Sequence, residues 1–173
     1  MEKIYITGVS GTGKSAIAKE LKKRGLFAFD IEEIEGMCYW IDRKTQEQVA
    51  DYNPTTDWLE THDWICDIKK LKELLETDKD TIIITGITGN QDDYLKLFDK
   101  IFLLQSTEET FVNRMALRHL KPAENSYGQH PAERDFAIRN YKNFEDKMLA
   151  LGTIPINSEY SISEVANEIL KKI

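Results

Sequence analysis

Eight residues near the amino end, Gly8-Val9-Ser10-Gly11-Thr12-Gly13-Lys14-Ser15, have the types and spacing to hold a chain of phosphates. They satisfy G-x-x-x-x-G-K-[ST] and lie between a β-branched, aromatic run and an amphipathic one, the context that this pattern needs. The glycines let backbone N–H groups converge on phosphate oxygens without Cβ obstruction, and the helix that follows contributes its positive end. Lys14 then reaches the β and γ phosphates of ATP, and Ser15 Oγ ligates the Mg2+ that bridges them. A nucleotide site does not define a reaction, because the same loop serves kinases, GTPases and motor ATPases.

Further residues narrow the choice. Asp30 and Glu32 follow a short apolar run, Leu26 to Phe29. Just past the carboxyl end of a strand in an open parallel sheet is where ligands bind. Asp30 can there orient an acceptor hydroxyl or take its proton, and Glu32 can hold a water on Mg2+. Asp30 with Glu33 also reads as a capping box, and the two roles are compatible. The run TIIIT ends on Thr85, which can contact Mg2+ through water. The Gly86 to Asn90 backbone after it either lines an acceptor pocket or is a turn chosen for its geometry.

Arg114 and Arg118 are four apart, a spacing that puts both on one helix face. His119, Lys121, His130, Arg134 and Arg139 extend the basic set. Arginine suits a transferring phosphoryl group because its planar fork binds in two places and stays charged. The plain alternative is a solvated face paired with Glu108, Glu109, Glu124 and Glu133.

All three tryptophans, Trp40, Trp58 and Trp64, fall in one stretch with Tyr39, Tyr52 and His62. Such rings stack on a base or on the apolar face of a sugar. The same spacing of Trp58, Leu59, His62, Ile65 and Cys66 also suits a helix packed on a sheet, with His62 structural. The stretch carries Asp42, Asp51, Asp57, Asp63 and Asp67 against Arg43 and Lys44, few cations for a heavily anionic acceptor. A nucleoside, a sugar alcohol or an aminoglycoside-like hydroxyl compound fits better than a nucleotide.

The elements that must position these groups alternate. Lys3 to Thr7 predicts a buried strand, Gly13 to Arg24 a helix stopped at Gly25, and Leu26 to Phe29 a second strand. Thr81 to Thr85, Ile101 to Leu104 and Ile154 to Ile156 predict three more, the last at an edge because of Pro155. Asp57-x-x-Glu60, Ser106-x-x-Glu109 and Ser161-x-x-Glu164 have the form of capping boxes. Strands alternating with helices imply right-handed crossovers and an α/β fold with a parallel sheet. Gly36 to Thr56 and Leu120 to Pro131 break the alternation and belong at the mouth of the sheet.

At 173 residues, with 23 Lys+Arg against 30 Asp+Glu and a net charge of −7, the chain suits one domain and not a general nucleic-acid binder. No apolar run approaches the ~18 residues of a bilayer span, and MEKIYITG has no signal-peptide character, so the expectation is a cytoplasmic protein. Cys38 and Cys66 are read as reduced structural thiols. The expected partner is a small-molecule acceptor, with the chain a monomer or homodimer.

In layout, from IYITGVSGTGKS to SISEVANEIL, the chain resembles the P-loop small-molecule kinases: adenylate and other nucleoside monophosphate kinases, shikimate kinase and gluconate kinase. The resemblance implies a P-loop three-layer sandwich with five parallel strands in the order 2-3-1-4-5. It implies an acceptor-binding insertion over about 36–76, built on helices, and a short lid over about 119–131. Asp30 and Glu32 stand where shikimate-kinase-like members carry a D-x-D element facing the γ phosphate. Arg114 and Arg118 stand where family arginines close over the phosphoryl group, and Arg134 lies near the acceptor. Trp40 and Trp58 fall in the acceptor region with Gly86, and Asn157 and Ser158 fall in the loop that borders adenine. The aspartate usual after the third strand is missing, its place taken by Thr85-Gly86, and a lid without four cysteines holds no zinc. The implied activity is transfer of the ATP γ-phosphoryl group to a small hydroxyl or phosphate acceptor; a nucleotide-dependent ATPase switch acting on a protein partner is the alternative.

Overall fold

The computed structural model describes residues 1–120 and 127–173. Lys121, Glu124 and the middle of the expected lid lie outside the described residues, as does the side chain of His119. Five strands form a parallel sheet: β1 (Glu2–Thr7), β2 (Ala28–Asp30), β6 (Thr81–Thr85), β7 (Lys100–Gln105) and β8 (Ile154–Asn157). Their order is β2-β6-β1-β7-β8. Counted within this sheet alone, that is the expected 2-3-1-4-5.

Alternation along β1 builds both faces of the sheet at once. Ile4 and Ile6 point to one side, where they pack with Ile17 and Leu21 of α1 (Lys14–Lys23) and Val165 and Ile169 of α6 (Ile162–Leu170). Tyr5 points to the other, against Leu71 and Leu75 of α3 (Ile68–Leu75), Tyr94, Phe98 and Met148 of α5 (Pro131–Ala150). A strand covered on both faces reads as a continuous apolar run, as KIYIT and TIIIT do. α4 (Glu108–Ala116) and α5 close a third, smaller cluster beside the loop after β1, through Val9, Phe111, Met115 and Ala137.

Two expectations are corrected between β2 and α3. The stretch with helical spacing from Trp58 to Cys66 is a short helix, α2 (Thr56–Thr61), followed directly by a strand, β5 (His62–Cys66). With β3 (Cys38–Asp42) and β4 (Gln48–Val49), β5 forms an antiparallel sheet in the order β4-β3-β5, where helices were expected. The register pairs Trp40 with Trp64 and Cys38 with Cys66. Large aromatic and β-branched side chains pack well across such a pleat, which overrides the helical spacing. Two caps also move: Thr55 caps α2 and Thr107 caps α4, while the Ser161–Glu164 box forms at α6 as expected.

The small sheet is tied to the large one by side chains that imitate a strand. Asn90 takes the Cys66 N–H on Oδ1 at 2.9 Å and gives Nδ2 to the Cys66 carbonyl at 2.9 Å. Thr88 Oγ1 lies 3.0 Å from Asn90 Oδ1 and 2.8 Å from the Tyr94 hydroxyl, which lies 2.9 Å from that of Tyr5 in β1.

Gly86, at the start of this connection, is a packing position: a Cβ there would lie 2.5 Å from Ile31 Cγ1. We predict that Gly86→Ala lowers unfolding stability by about 1–3 kcal/mol, the usual cost of overpacking, seen as a lower urea midpoint at unchanged m-value.

Candidate active site

The phosphate loop, Gly8 to Ser15, is pressed between β7 and α4. A Cβ on Gly8 would come within 2.6 Å of the Leu104 carbonyl oxygen, and one on Gly11 would meet the Phe111 carbonyl. Gly11 and Gly13 have φ of 89° and 100°, where a side chain is strained. Val9 is buried, Ser10 half-buried, and Thr12 Oγ1 closes the turn onto the Val9 carbonyl at 2.8 Å. Lys14 is 6% exposed, and its ammonium donates to the carbonyls of Gly8 at 2.9 Å and Val9 at 3.3 Å. Burial pulls its pKa below the ordinary lysine value, Glu32 and Asp30 oppose that, and Arg118 adds to it.

Asp30 ends β2 and caps the 3-10 turn Ile31–Glu33, with Oδ1 accepting the Glu32 N–H at 3.0 Å. The cap thus lands on Glu32 and not on Glu33. Its other oxygen, Oδ2, is buried with no hydrogen-bond partner among the described residues, and so is Thr85 Oγ1. The two residues are register partners on neighbouring parallel strands. Burial raises the Asp30 pKa, while the Ser15 hydroxyl and Lys14 favour its charged form. Buried orphan oxygens call for an explanation, and a hydrated cation held at Ser15 would satisfy both. The donor set of one hydroxyl, one carboxylate and a second hydroxyl suits Mg2+, which keeps most of its waters.

Glu32 Oε1 accepts the Ile87 N–H at 3.1 Å. Its pKa is raised first by burial, then by Asp30, against the pull of Lys14, the Ile87 N–H and Arg118. Lys14, Asp30, Glu32 and Arg118 therefore share one space, as the sequence pattern required.

The two arginines do not share a face. α4 ends at Ala116, and Arg118 lies in the 3-10 turn Leu117–Leu120 that follows, so the helical spacing breaks between them. Arg118 turns toward Glu32 and Asp30 and donates Nη1 to the Tyr127 carbonyl at 2.5 Å. Arg114 instead clamps two loops, with Nη1 on the Gly11 carbonyl at 3.4 Å and Nη2 on that of Ser158 at 3.1 Å. Arg134 is drawn away to the Gly128 and Gln129 carbonyls at 2.7 and 2.8 Å. Asn157 is exposed at the end of β8, its Oδ1 holding the Glu159 N–H at 2.9 Å.

A cavity of about 750 Å3 opens from this charged cluster. Ser15 and Glu32 line one part; Trp40, Tyr52, His62 and Trp64 line another, with Ile87 to Gly89 between. Trp58 and Gly86 are not in its wall: Trp58 backs it, stacked on His62 at 4.1 Å and edge-on to Trp40 at 4.8 Å, and Gly86 packs under Ile31. Among the described residues the two cations in the wall, Arg43 and Lys147, are already paired, Arg43 with Asp63 at 2.8 Å and Lys147 with Asp92.

Sequence reading missed the parts played by Glu133 and Tyr52. Glu133 is wholly buried and its carboxylate accepts the Tyr52 hydroxyl and the Gly128 and His130 N–H groups. Its signal was legible: Pro131 at the start of a helix and an acid three residues after His130 mark a helix amino end.

The Asp30 carboxyl predicts a pH effect. Its pKa is raised in the folded state, so its favourable contribution is complete below the ordinary carboxylate range, near 4, and is lost as pH rises through the elevated value. Asp30→Asn should therefore melt above the wild type at neutral pH without nucleotide, by about 2–4 °C per kcal/mol recovered, with the gap closing on acidification. Equal gaps at pH 4 and pH 8 by calorimetry would contradict this.

The fold is that of the P-loop small-molecule kinases. It is similar to deoxyadenosine kinase from M. mycoides with bound dATP, at TM-score 0.58 and 18% identity, covering 98% of each chain. A gluconokinase from Sinorhizobium meliloti 1021 is similar at TM-score 0.54 and 16% identity, over 98% of this chain and 90% of that one. No curated protein matches the sequence. The family described as AAA domain matches residues 4–134, well over half of the chain, and the chain belongs to that family.

Proposed function

We propose that this protein is an ATP-dependent phosphotransferase that moves the γ-phosphoryl group to a hydroxyl of a small molecule. The observation that carries the reading is the continuity of one cavity from Ser15 and Glu32 to the aromatic wall of Trp40, Tyr52 and Trp64. Donor phosphates and an acceptor can meet there, which a nucleotide switch acting on a protein does not need. The kinase folds of the deoxyadenosine kinase and gluconokinase neighbours support the same reading.

Residues 1–173 act as one domain on this reading, with the segment about 36–76 binding the acceptor and about 119–131 serving as lid. The backbone of Gly8 to Gly13 wraps the phosphates, and Lys14 leaves the Gly8 and Val9 carbonyls to bind the β and γ phosphates. Ser15 would hold Mg2+ directly, with Asp30, Glu32 and Thr85 holding its waters; bound there, the ion would offset phosphate charge. Arg118 supplies positive charge to the transferring group, and Asp30 orients the acceptor hydroxyl. Arg114 acts on the nucleotide side by holding the phosphate loop to the Ser158 turn, beside Asn157.

The acceptor carries no phosphate or carboxylate, because both described cations in the cavity wall are already matched by carboxylates. A phosphate or carboxylate on the acceptor would have to displace Asp63 or Asp92. Tryptophan faces suit a flat base or the apolar side of a sugar, so a nucleoside or sugar alcohol is the class we favour.

ADP release measured against nucleosides, nucleotides, sugars, shikimate-like acids and aminoglycosides, with acceptor-free controls, tests the reading. We expect release to depend on a hydroxyl compound without phosphate or carboxylate, and Lys14→Ala to lower turnover about 100- to 1000-fold. Release at the same rate with no acceptor present would favour the ATPase switch instead.

A further inference from the structure

One buried carboxylate has no part in the transfer chemistry. Glu133 is 0% exposed at the amino end of α5, and its donors come from two distant segments. Oε2 accepts the N–H of Gly128 at 2.8 Å and of His130 at 2.9 Å, both in the lid. Oε1 accepts the hydroxyl of Tyr52, 81 positions earlier in the chain. The burial and the Glu133 charge together push the Tyr52 hydroxyl pKa up, so it remains a donor.

Each end of this bond leads to a functional surface. Tyr52 stacks on Trp40 at 5.4 Å, with planes 22° apart, and both line the cavity. On the lid side, Gly128 follows Tyr127, whose carbonyl takes the Arg118 guanidinium at 2.5 Å. The Glu133 charge also supports the charged form of Arg118 against the effect of burial. Glu133 is fully buried while Tyr52 is 38% exposed, so removal of the Tyr52 donor leaves a buried carboxylate short of a partner. Among the described residues Arg139 and Glu60 also pair, about half exposed on both sides, and this ion pair contributes little beyond the packing of α2 against α5.

We infer that Glu133 and Tyr52 are positioning residues that lock the acceptor wall to the turn 127–130, so that nucleotide engaged by Arg118 is felt at the Trp40 face of the cavity. The inference rests on the phosphotransferase reading. Phosphate arriving beside Arg118 changes the charge that this guanidinium faces. Its carbonyl partner, Tyr127, belongs to the turn that Glu133 pins, and Tyr52 is held by the same carboxylate. The acceptor wall and the turn 127–130 therefore move together, and acceptor affinity depends on how the Glu133 carboxylate holds Tyr52 in that wall.

The tryptophans make this measurable, since all three, Trp40, Trp58 and Trp64, belong to the aromatic cluster on the acceptor side. The test is a titration with a non-hydrolysable ATP analogue plus Mg2+, followed by tryptophan emission, with calorimetry for affinity. In the wild type, emission should change with the calorimetric midpoint. Tyr52→Phe keeps the ring on Trp40; it should bind the analogue within about twofold of wild type but lose most of the emission change. In turnover its acceptor KM should rise about tenfold, the scale of one hydrogen bond to a charged group, with the ATP KM nearly unchanged. Glu133→Gln retains an acceptor for the lid N–H groups and should lose part of the emission change, which decides the matter if Tyr52→Phe fails to fold by circular dichroism. Arg139→Ala should leave the change intact. Analogue binding with flat wild-type emission, or a full change in Tyr52→Phe, overturns the coupling and leaves the phosphotransferase reading standing. Absence of nucleotide binding by calorimetry removes both.

Discussion

Four charged side chains, Lys14, Asp30, Glu32 and Arg118, share a partly desolvated space at the carboxyl edge of the sheet, and each is tolerated there because of the others. Burial disfavours the charged form of all four, and the opposite charges beside each one work against that penalty. Lys14 and Arg118 offset Asp30 and Glu32, and Glu133 also faces Arg118, so the carboxylates still carry part of the burial penalty. A triphosphate adds negative charge to this balance, so its binding requires the lysine to exchange carbonyl partners for phosphate and favours a divalent cation near Ser15. The unpartnered oxygens of Asp30 and Thr85 face that same requirement.

Much of the fold exists to hold these four groups at one depth. The pairing of Asp30 with Thr85 brings two strand ends level, and Gly8 passes so close to Leu104 that the loop leaves β1 in one direction only. Ile31 packs on Gly86, which fixes the turn carrying Glu32 against the backbone of Ile87. Arg118 comes from the far side of the site, where α4 tightens into a 3-10 turn and releases the side chain from the helix face used by Arg114. Precision at the site thus comes from backbone close contacts together with side-chain bonds made by the site residues themselves.

What could be read from the sequence follows from how local each signal is. The phosphate loop, the five strands of the parallel sheet and the stop at Gly25 are set by neighbouring residues and by apolar runs, and all of them stand in the structure. The Trp58 to Cys66 stretch was misread because a helix and a strand join at His62 without a glycine or proline between them, so the helical spacing runs on through the junction. The β3–β5 pairing depends on residues some 20 positions apart, and no local pattern reports it. Arg114 and Arg118 were placed on one face by a periodicity that ends two residues before the second of them. Glu133 was visible as a helix-end residue, but its bond to Tyr52 depends on tertiary packing alone.

Charge balance also accounts for the threonine at the end of β6. An aspartate is the usual residue after this strand in the resembling kinases, and Thr85 stands here with Asp30 beside it on the adjoining strand. A carboxylate at position 85 would add to those of Asp30, Glu32 and Glu133 in a space served by Lys14 and Arg118, and the excess charge would be buried without a partner. With the carboxylate on β2, a hydroxyl on β6 still offers an oxygen to a metal-bound water and adds no charge. On this reading the missing aspartate does not mark a lost site. In the proposed phosphotransferase its work would fall one strand across, to Asp30, which also caps the turn bearing Glu32 through Oδ1 and would offer Oδ2 to the waters of a bound cation.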